Sequence, residues 1–114
     1  AAFIVTSATS AMAQDKYETN VGQYVASTLI AGPCDGITTY DVQGAGNLAK
    51  SKYGLRKQKV LRLLYYGKTD QLMQLGRNTL SQRSLDPDNQ SQLCRFGRKV
   101  ADTDDGIGRF MRAK

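Results

Sequence analysis

Apolar residues recur along this chain at the three- and four-residue spacing of helix faces, not in the strict alternation of half-buried strands. From about Asp15 to Leu29, a single stripe holds Tyr17, Val21, Tyr24, Val25, Thr28 and Leu29. Asp15 with Glu18 three positions later has the form of a capping box, Asp standing in the Ser/Thr place. Gly32-Pro33 stops this helix. A second helix is expected to open at Cys34 or Asp35, with Asp35 as its cap. It carries Ile37, Tyr40, Gly44 and Leu48 on one face as far as Tyr53-Gly54. Gly44 and Gly46 each weaken that helix by about 1 kcal/mol relative to Ala and leave room for a close neighbour. Leu55 to Tyr66 forms a third segment around Val60, Leu61, Leu63 and Leu64, and Gly67 breaks it. Thr69 or Asp70 caps a fourth, with Leu72, Leu75, Gly76 and Thr79 aligned. Asp86-Pro87 reads as N-cap and first helical position of a last segment. That segment runs through Leu93, Phe96, Gly97, Val100, Ile107 and Met111, with a break expected near Asp102 to Gly106. No strand is expected. The fold class is all-α, a small bundle of four to six short helices. Tyr24, Leu29, Ile37, Leu48, Val60, Leu64, Leu72, Leu93, Phe96, Val100 and Ile107 are expected to supply its core.

Residues 1–13 stand apart. They carry no charge, and the stretch ends in Ala11-Met12-Ala13 ahead of Gln14. This reads as the tail of a secretory signal peptide, cleaved after Ala13, which leaves residues 14–114 as one domain. The stretch is too short to span a bilayer, which takes about 20 apolar residues, so no transmembrane segment is expected. The chain has two cysteines, Cys34 and Cys94. In an exported protein they read as one disulfide, which closes the bundle. In the chain-entropy description, a loop of about 60 residues closed in this way gains about 4 kcal/mol. The expected location is therefore periplasmic or secreted.

Charge narrows the choice of partners. Sixteen Lys and Arg stand against ten Asp and Glu, for a net charge of +6, and the chain has no His and no Trp. Without His there is no Ser-His-Asp or Cys-His arrangement. Glu18 is the sole glutamate available to a carboxylate pair. Asp41 beside Gly44 is a candidate functional carboxylate, with a solvated helix edge as the plainer reading. Asp102-Thr103-Asp104-Asp105-Gly106 resembles a calcium loop, but its Gly falls one place early and no Glu follows, so a helix cap or solvated break is the better reading. Cys34 and Cys94 lack the Cys-x-x-Cys spacing of a redox pair. No enzyme activity, cofactor or metal is expected.

The strongest surface feature is Lys50, Lys52, Arg56, Lys57, Lys59, Arg62 and Lys68, a run with no acidic residue among them and with Tyr53, Tyr65 and Tyr66 interleaved. Such a segment suits phosphate-bearing polymers or anionic lipid. It equally suits a solvated helix face whose long stems cover an apolar stripe. The candidate patch for an anionic partner is Lys50, Lys52, Tyr53, Arg56, Lys57, Lys59 and Arg62. Nucleic acid is not expected of an exported protein.

Cys34-Asp35-Gly36-Ile37, Tyr53-Gly54, Leu85-Asp86-Pro87, Leu93-Cys94-Arg95-Phe96-Gly97-Arg98 and Ile107-Gly108-Arg109 together resemble an uncharacterised family of small exported proteins from alphaproteobacteria. Lys99-Val100 stands where that family carries an acidic residue and Ile. The likeness covers roughly residues 34–112 and implies a helical periplasmic domain with paired cysteines. It implies no activity. A looser, architectural similarity is to periplasmic immunity proteins and acid-stress chaperones. The expected function is a non-enzymatic exported domain that binds a protein or an anionic envelope component. The alternative is an inhibitor or immunity protein directed at a toxin or envelope hydrolase.

Overall fold

The computed structural model describes residues 15–114; the expected cleavage point at Ala13 lies outside them. Five α-helices carry the fold: α1 (Lys16–Ala31), α2 (Val42–Tyr53), α3 (Lys57–Tyr66), α4 (Thr69–Gln82) and α5 (Gln90–Val100). A 3₁₀ turn (Gly108–Phe110) and two three-residue strands, β1 (Ile37–Thr39) and β2 (Met111–Ala113), complete it. The helical bundle is as the periodicity predicts. The strands are not, and they correct the expectation of none.

α1 is the spine. Its start is the predicted capping box: Asp15 Oδ1 accepts from the Glu18 N–H at 2.8 Å, and Glu18 Oε1 accepts from the Asp15 N–H at 3.4 Å. Its buried residues reach all three core clusters. Tyr17, Val21 and Val25 join Ala49, Leu55 and Val60; Tyr24 joins Ala45 and Phe110; Ala26 and Ile30 join the cluster around the cysteines. α4 lies close against this spine because Gly76 has no side chain. A Cβ there would sit 2.6 Å from Val25 Cγ1 and 3.1 Å from the backbone nitrogen of Ala26.

Of the expected core, Tyr24, Ile37, Val60, Leu93, Val100 and Ile107 are buried. Leu29, Leu48, Leu64, Leu72 and Phe96 are partly buried against the same clusters. Phe110 and Met111, both fully buried, come from the segment predicted as the end of a helix.

Cys34 and Cys94 are bonded, with their Cα atoms 5.4 Å apart, and tie the turn after α1 to α5. Between Cys34 and α2 the chain turns at Asp35-Gly36 and then runs extended, not helical. Asp35 caps nothing; Asp41 is the cap, accepting from the Gly44 N–H at 2.7 Å. Ile37-Thr38-Thr39 is a β-branched run, which disfavours the helix and suits a strand. It pairs antiparallel with β2 in the register Ile37↔Ala113, Thr38↔Arg112, Thr39↔Met111.

The last segment departs twice from its predicted form. Asp86 makes a turn, accepting from the Asp88 N–H at 2.9 Å, and Asn89 caps α5 by accepting from the Gln92 N–H at 3.0 Å. α5 then ends at Val100, at the edge of the expected break. Asp102 reverses the chain at φ +62°; its N–H donates to the Met111 carbonyl and its carboxylate accepts from the Ala113 N–H. α3 and α4 also start without side-chain caps, from Arg56 and Lys68, so Thr69 is the first helical residue of α4 and not its cap. Among the described residues no helix is long and apolar enough to cross a membrane.

Candidate anionic-partner surface

The predicted basic residues gather where α2 ends and α3 begins. Gly46 lets the two helices meet: a Cβ there would lie 2.9 Å from Leu61 Cδ2 and 3.1 Å from Lys57 Cγ. Gly44, paired with Gly46 in the sequence reading, instead faces its own Tyr40 and the capping carboxylate of Asp41. Lys50 and Lys52 occupy the last turn of α2, Arg56 is the N-cap position of α3, and Lys57, Lys59 and Arg62 follow on α3. Lys50, Lys52, Arg56, Lys59 and Arg62 are exposed, while Lys57 is half-buried with its stem on α2. Lys68 is exposed at the head of α4.

None of these seven groups pairs with a carboxylate among the described residues. The three ion pairs present lie elsewhere: Arg77 with Asp88 at 3.2 Å, Arg83 with Asp105 at 2.6 Å and Arg109 with Asp104 at 3.6 Å. The backbone adds to the positive field. Lys57 and Lys59 sit in the first turn of α3, at the positive end of its dipole, and no side chain caps that end. Cations there cost about 0.3–1 kcal/mol each. The opening of α3 is anchored from below, where the Arg56 N–H donates to the Tyr17 hydroxyl at 3.0 Å. Lys59 Nζ lies 4.3 Å from the centre of the Tyr17 ring, a cation–π contact that orients one ammonium group without neutralising it.

Tyr53 presents only part of its ring at this junction. Its ring is half-buried, stacked on Phe110 at 6.2 Å, and the Arg109 guanidinium lies 5.1 Å from its centroid. Burial pushes its phenol above the ordinary range, against the lowering effect of Arg109. Arg109 is the hydroxyl's polar neighbour, and no hydrogen bond of good geometry reaches Tyr53 Oη, Asn20 Nδ2 or Arg109 Nε among the described residues. The other two interleaved tyrosines are at the surface: Tyr65 is 55% and Tyr66 84% exposed. A groove of about 400 Å³ runs between α1, α3 and α4, lined by Val21, Leu63, Leu72 and Leu75 with Glu18 and Lys68.

The carboxylates that drew attention in the sequence have structural work. Asp41 is exposed and caps α2. Asp102, Asp104 and Asp105 diverge, to the Ala113 N–H, to Arg109 and to Arg83 respectively. Asp105 also accepts from the Ile107 and Gly108 N–H groups. The Arg83 hydrogen bonds, aided by those two N–H groups, hold its carboxyl below the usual range despite partial burial. The turn is therefore a cap and a brace, and no group of three or more potential metal ligands forms among the described residues.

No family model matches this sequence, and no curated protein or solved structure is significantly similar to it.

Proposed function

We propose that this chain is an exported, non-enzymatic binding domain that engages an anionic component of the cell envelope through Lys50, Lys52, Arg56, Lys57, Lys59 and Arg62. The observation that carries this reading is the accumulation of these six cations at one junction with no carboxylate to offset them. A surface that only needed to be soluble would mix the two signs. Here the chain also accepts cations at the wrong end of a helix dipole. A counter-charge brought by a partner relieves both costs. The disulfide and the likeness of residues 34–112 to exported two-cysteine proteins support a periplasmic or secreted setting.

The test is binding to long-chain polyphosphate across a salt series. The comparison protein is the variant Lys50→Glu/Arg56→Glu/Arg62→Glu, all at exposed positions. Surface charges are screened over about 8–10 Å at 0.1–0.15 M salt, so parent affinity should fall steeply as salt rises. The variant should bind at least about tenfold more weakly at low salt. An affinity indifferent to salt, or equal in parent and variant, would remove the proposal.

A further inference from the structure

We infer that the corner between α3 and α4 docks on an anionic lipid surface, with Tyr66, Tyr65 and Met73 entering the head-group layer; this rests on the function proposed above. Among the described residues, the large apolar side chains left exposed are these three, at 84%, 55% and 40%. All come from the last turn of α3 and the first turns of α4, joined by Gly67 and Lys68. Every other large apolar side chain described is at least partly covered. Tyrosine is suited to such a place, because its ring favours the acyl boundary while its hydroxyl stays with water and head groups. Among the described residues the Tyr65 hydroxyl accepts from Gln43 Nε2 at 3.3 Å, an exposed contact.

The charges around the corner match this orientation. Arg62 lies one turn before Tyr66, Lys68 two residues after it, and Lys59 a further turn back. Two carboxylates are near in the fold: Asp70 in the first turn of α4, and Glu18 on the groove that Gly67 and Lys68 also line. The cations outnumber them and continue into Arg56 and the end of α2. Each basic side chain near an anionic bilayer is worth about a fivefold gain in partitioning. A protein partner fits less well. A stable protein interface buries about 1,200–2,000 Å² around a well-packed centre. This corner instead offers three side chains at a helix junction, which a fluid surface accommodates without a matching shape.

The experiment is co-sedimentation with vesicles of phosphatidylcholine alone and with about 30 mol % phosphatidylglycerol. It uses the parent, Tyr65→Ser/Tyr66→Ser and Lys50→Glu/Arg56→Glu/Arg62→Glu, with circular dichroism as the fold control. Tyr66→Ser alone serves if the double variant does not fold. The parent should bind the anionic vesicles and not the neutral ones. The tyrosine variant should lose about tenfold in vesicle binding and bind polyphosphate as the parent does. The charge variant should lose both. A parent that binds polyphosphate but not anionic vesicles would overturn the lipid inference and leave the anionic surface standing. Equal vesicle binding by the tyrosine variant would overturn the role of the corner. Polyglutamate bound more tightly than vesicles, in a Tyr66-dependent way, would put an acidic polypeptide in place of lipid. Failure to bind either vesicles or polyphosphate would remove the broader proposal as well.

Discussion

The half of the molecule around Cys34–Cys94 and the junction of α2 with α3 handle charge in opposite ways. In the disulfide half, carboxylate and amide oxygens are used locally. Asp105 holds Arg83 and two backbone N–H groups, Asp102 holds the last strand, and Asn89 caps α5. At the α2–α3 junction six cations lie together without a carboxylate, and α3 begins without a side-chain cap. The first arrangement lowers the energy of the folded chain. The second raises it slightly and keeps a field directed at solvent. The difference separates residues that stabilise the fold from residues available to a partner.

The largest expected effect lies in the disulfide half. Cys34→Ser/Cys94→Ser frees a 60-residue separation and should cost about 4 kcal/mol. On a domain of this size that lowers the melting temperature by well over about ten degrees. A melting curve unchanged by the double substitution would show that the bridge contributes little to the fold. Next is Asp105→Asn, which weakens the Arg83 pair and the acceptor for Ile107 and Gly108. The pair is partly solvated, so after screening the loss is about 1 kcal/mol at neutral pH. The sign with pH follows from the direction of the shift. A carboxyl held below its unfolded value stabilises the fold above the ordinary carboxylate pKa and loses that contribution as pH falls through its folded value. The gap in melting temperature between parent and Asp105→Asn should therefore be full near neutrality and close in acid, below about pH 4. A gap of the same size at every pH would point to packing instead of charge.

At the basic junction the expected sign reverses. Arg56→Glu places a carboxylate at the uncapped start of α3 and should stabilise the protein by about 0.5 kcal/mol while weakening polyphosphate binding. Urea melts and a binding titration on the same protein check both halves of that statement. A destabilised Arg56→Glu would mean that the cation serves the fold. The smallest effect is expected at Tyr53, whose buried hydroxyl makes no hydrogen bond of good geometry among the described residues and has only the Arg109 guanidinium beside it. Tyr53→Phe should be neutral or stabilising, by no more than about 1 kcal/mol, and should leave anion binding unchanged. A loss of binding would show that the exposed part of Tyr53 takes part in the patch.

How much of this could be read in the sequence depended on how local each signal is. The capping box at Asp15 and Glu18, the α1 stripe and the stop at Gly54 are decided within a few residues, and the sequence reading placed them correctly. β1 depends on a partner more than seventy positions away, so periodicity around Ile37 could not reveal the pairing with Ala113. A local hint did exist in Asp35-Gly36, a turn pair directly before the β-branched Ile37-Thr38-Thr39, with Gly36 at φ +84°. At Asp86 and Asn89 two capping residues compete within one turn, and Pro87 favoured the wrong one. The basic run was plain in the sequence. Its lack of ion pairs was not, because Asp70 and Glu18 are close enough along the chain or in space to have offered partners. Tyr53 lies within the basic run along the chain, but its stacking on Phe110 depends on the C-terminal turn.

The central claim is that the α2–α3 cations serve a partner and not the fold. It is tested most directly by thermal melting at low salt, with and without saturating polyphosphate, on the parent and on Lys50→Glu/Arg56→Glu/Arg62→Glu. Lys50→Glu at the end of one helix and Arg56→Glu at the start of the next act oppositely on the two dipoles, so without ligand the two proteins should melt within about two degrees of each other. A ligand at about a hundred times its dissociation constant adds about 2.7 kcal/mol to the folded state. The parent should therefore rise by about ten degrees or more with polyphosphate, and the variant by far less. Equal shifts in the two proteins, or a variant already destabilised without ligand, would contradict the account.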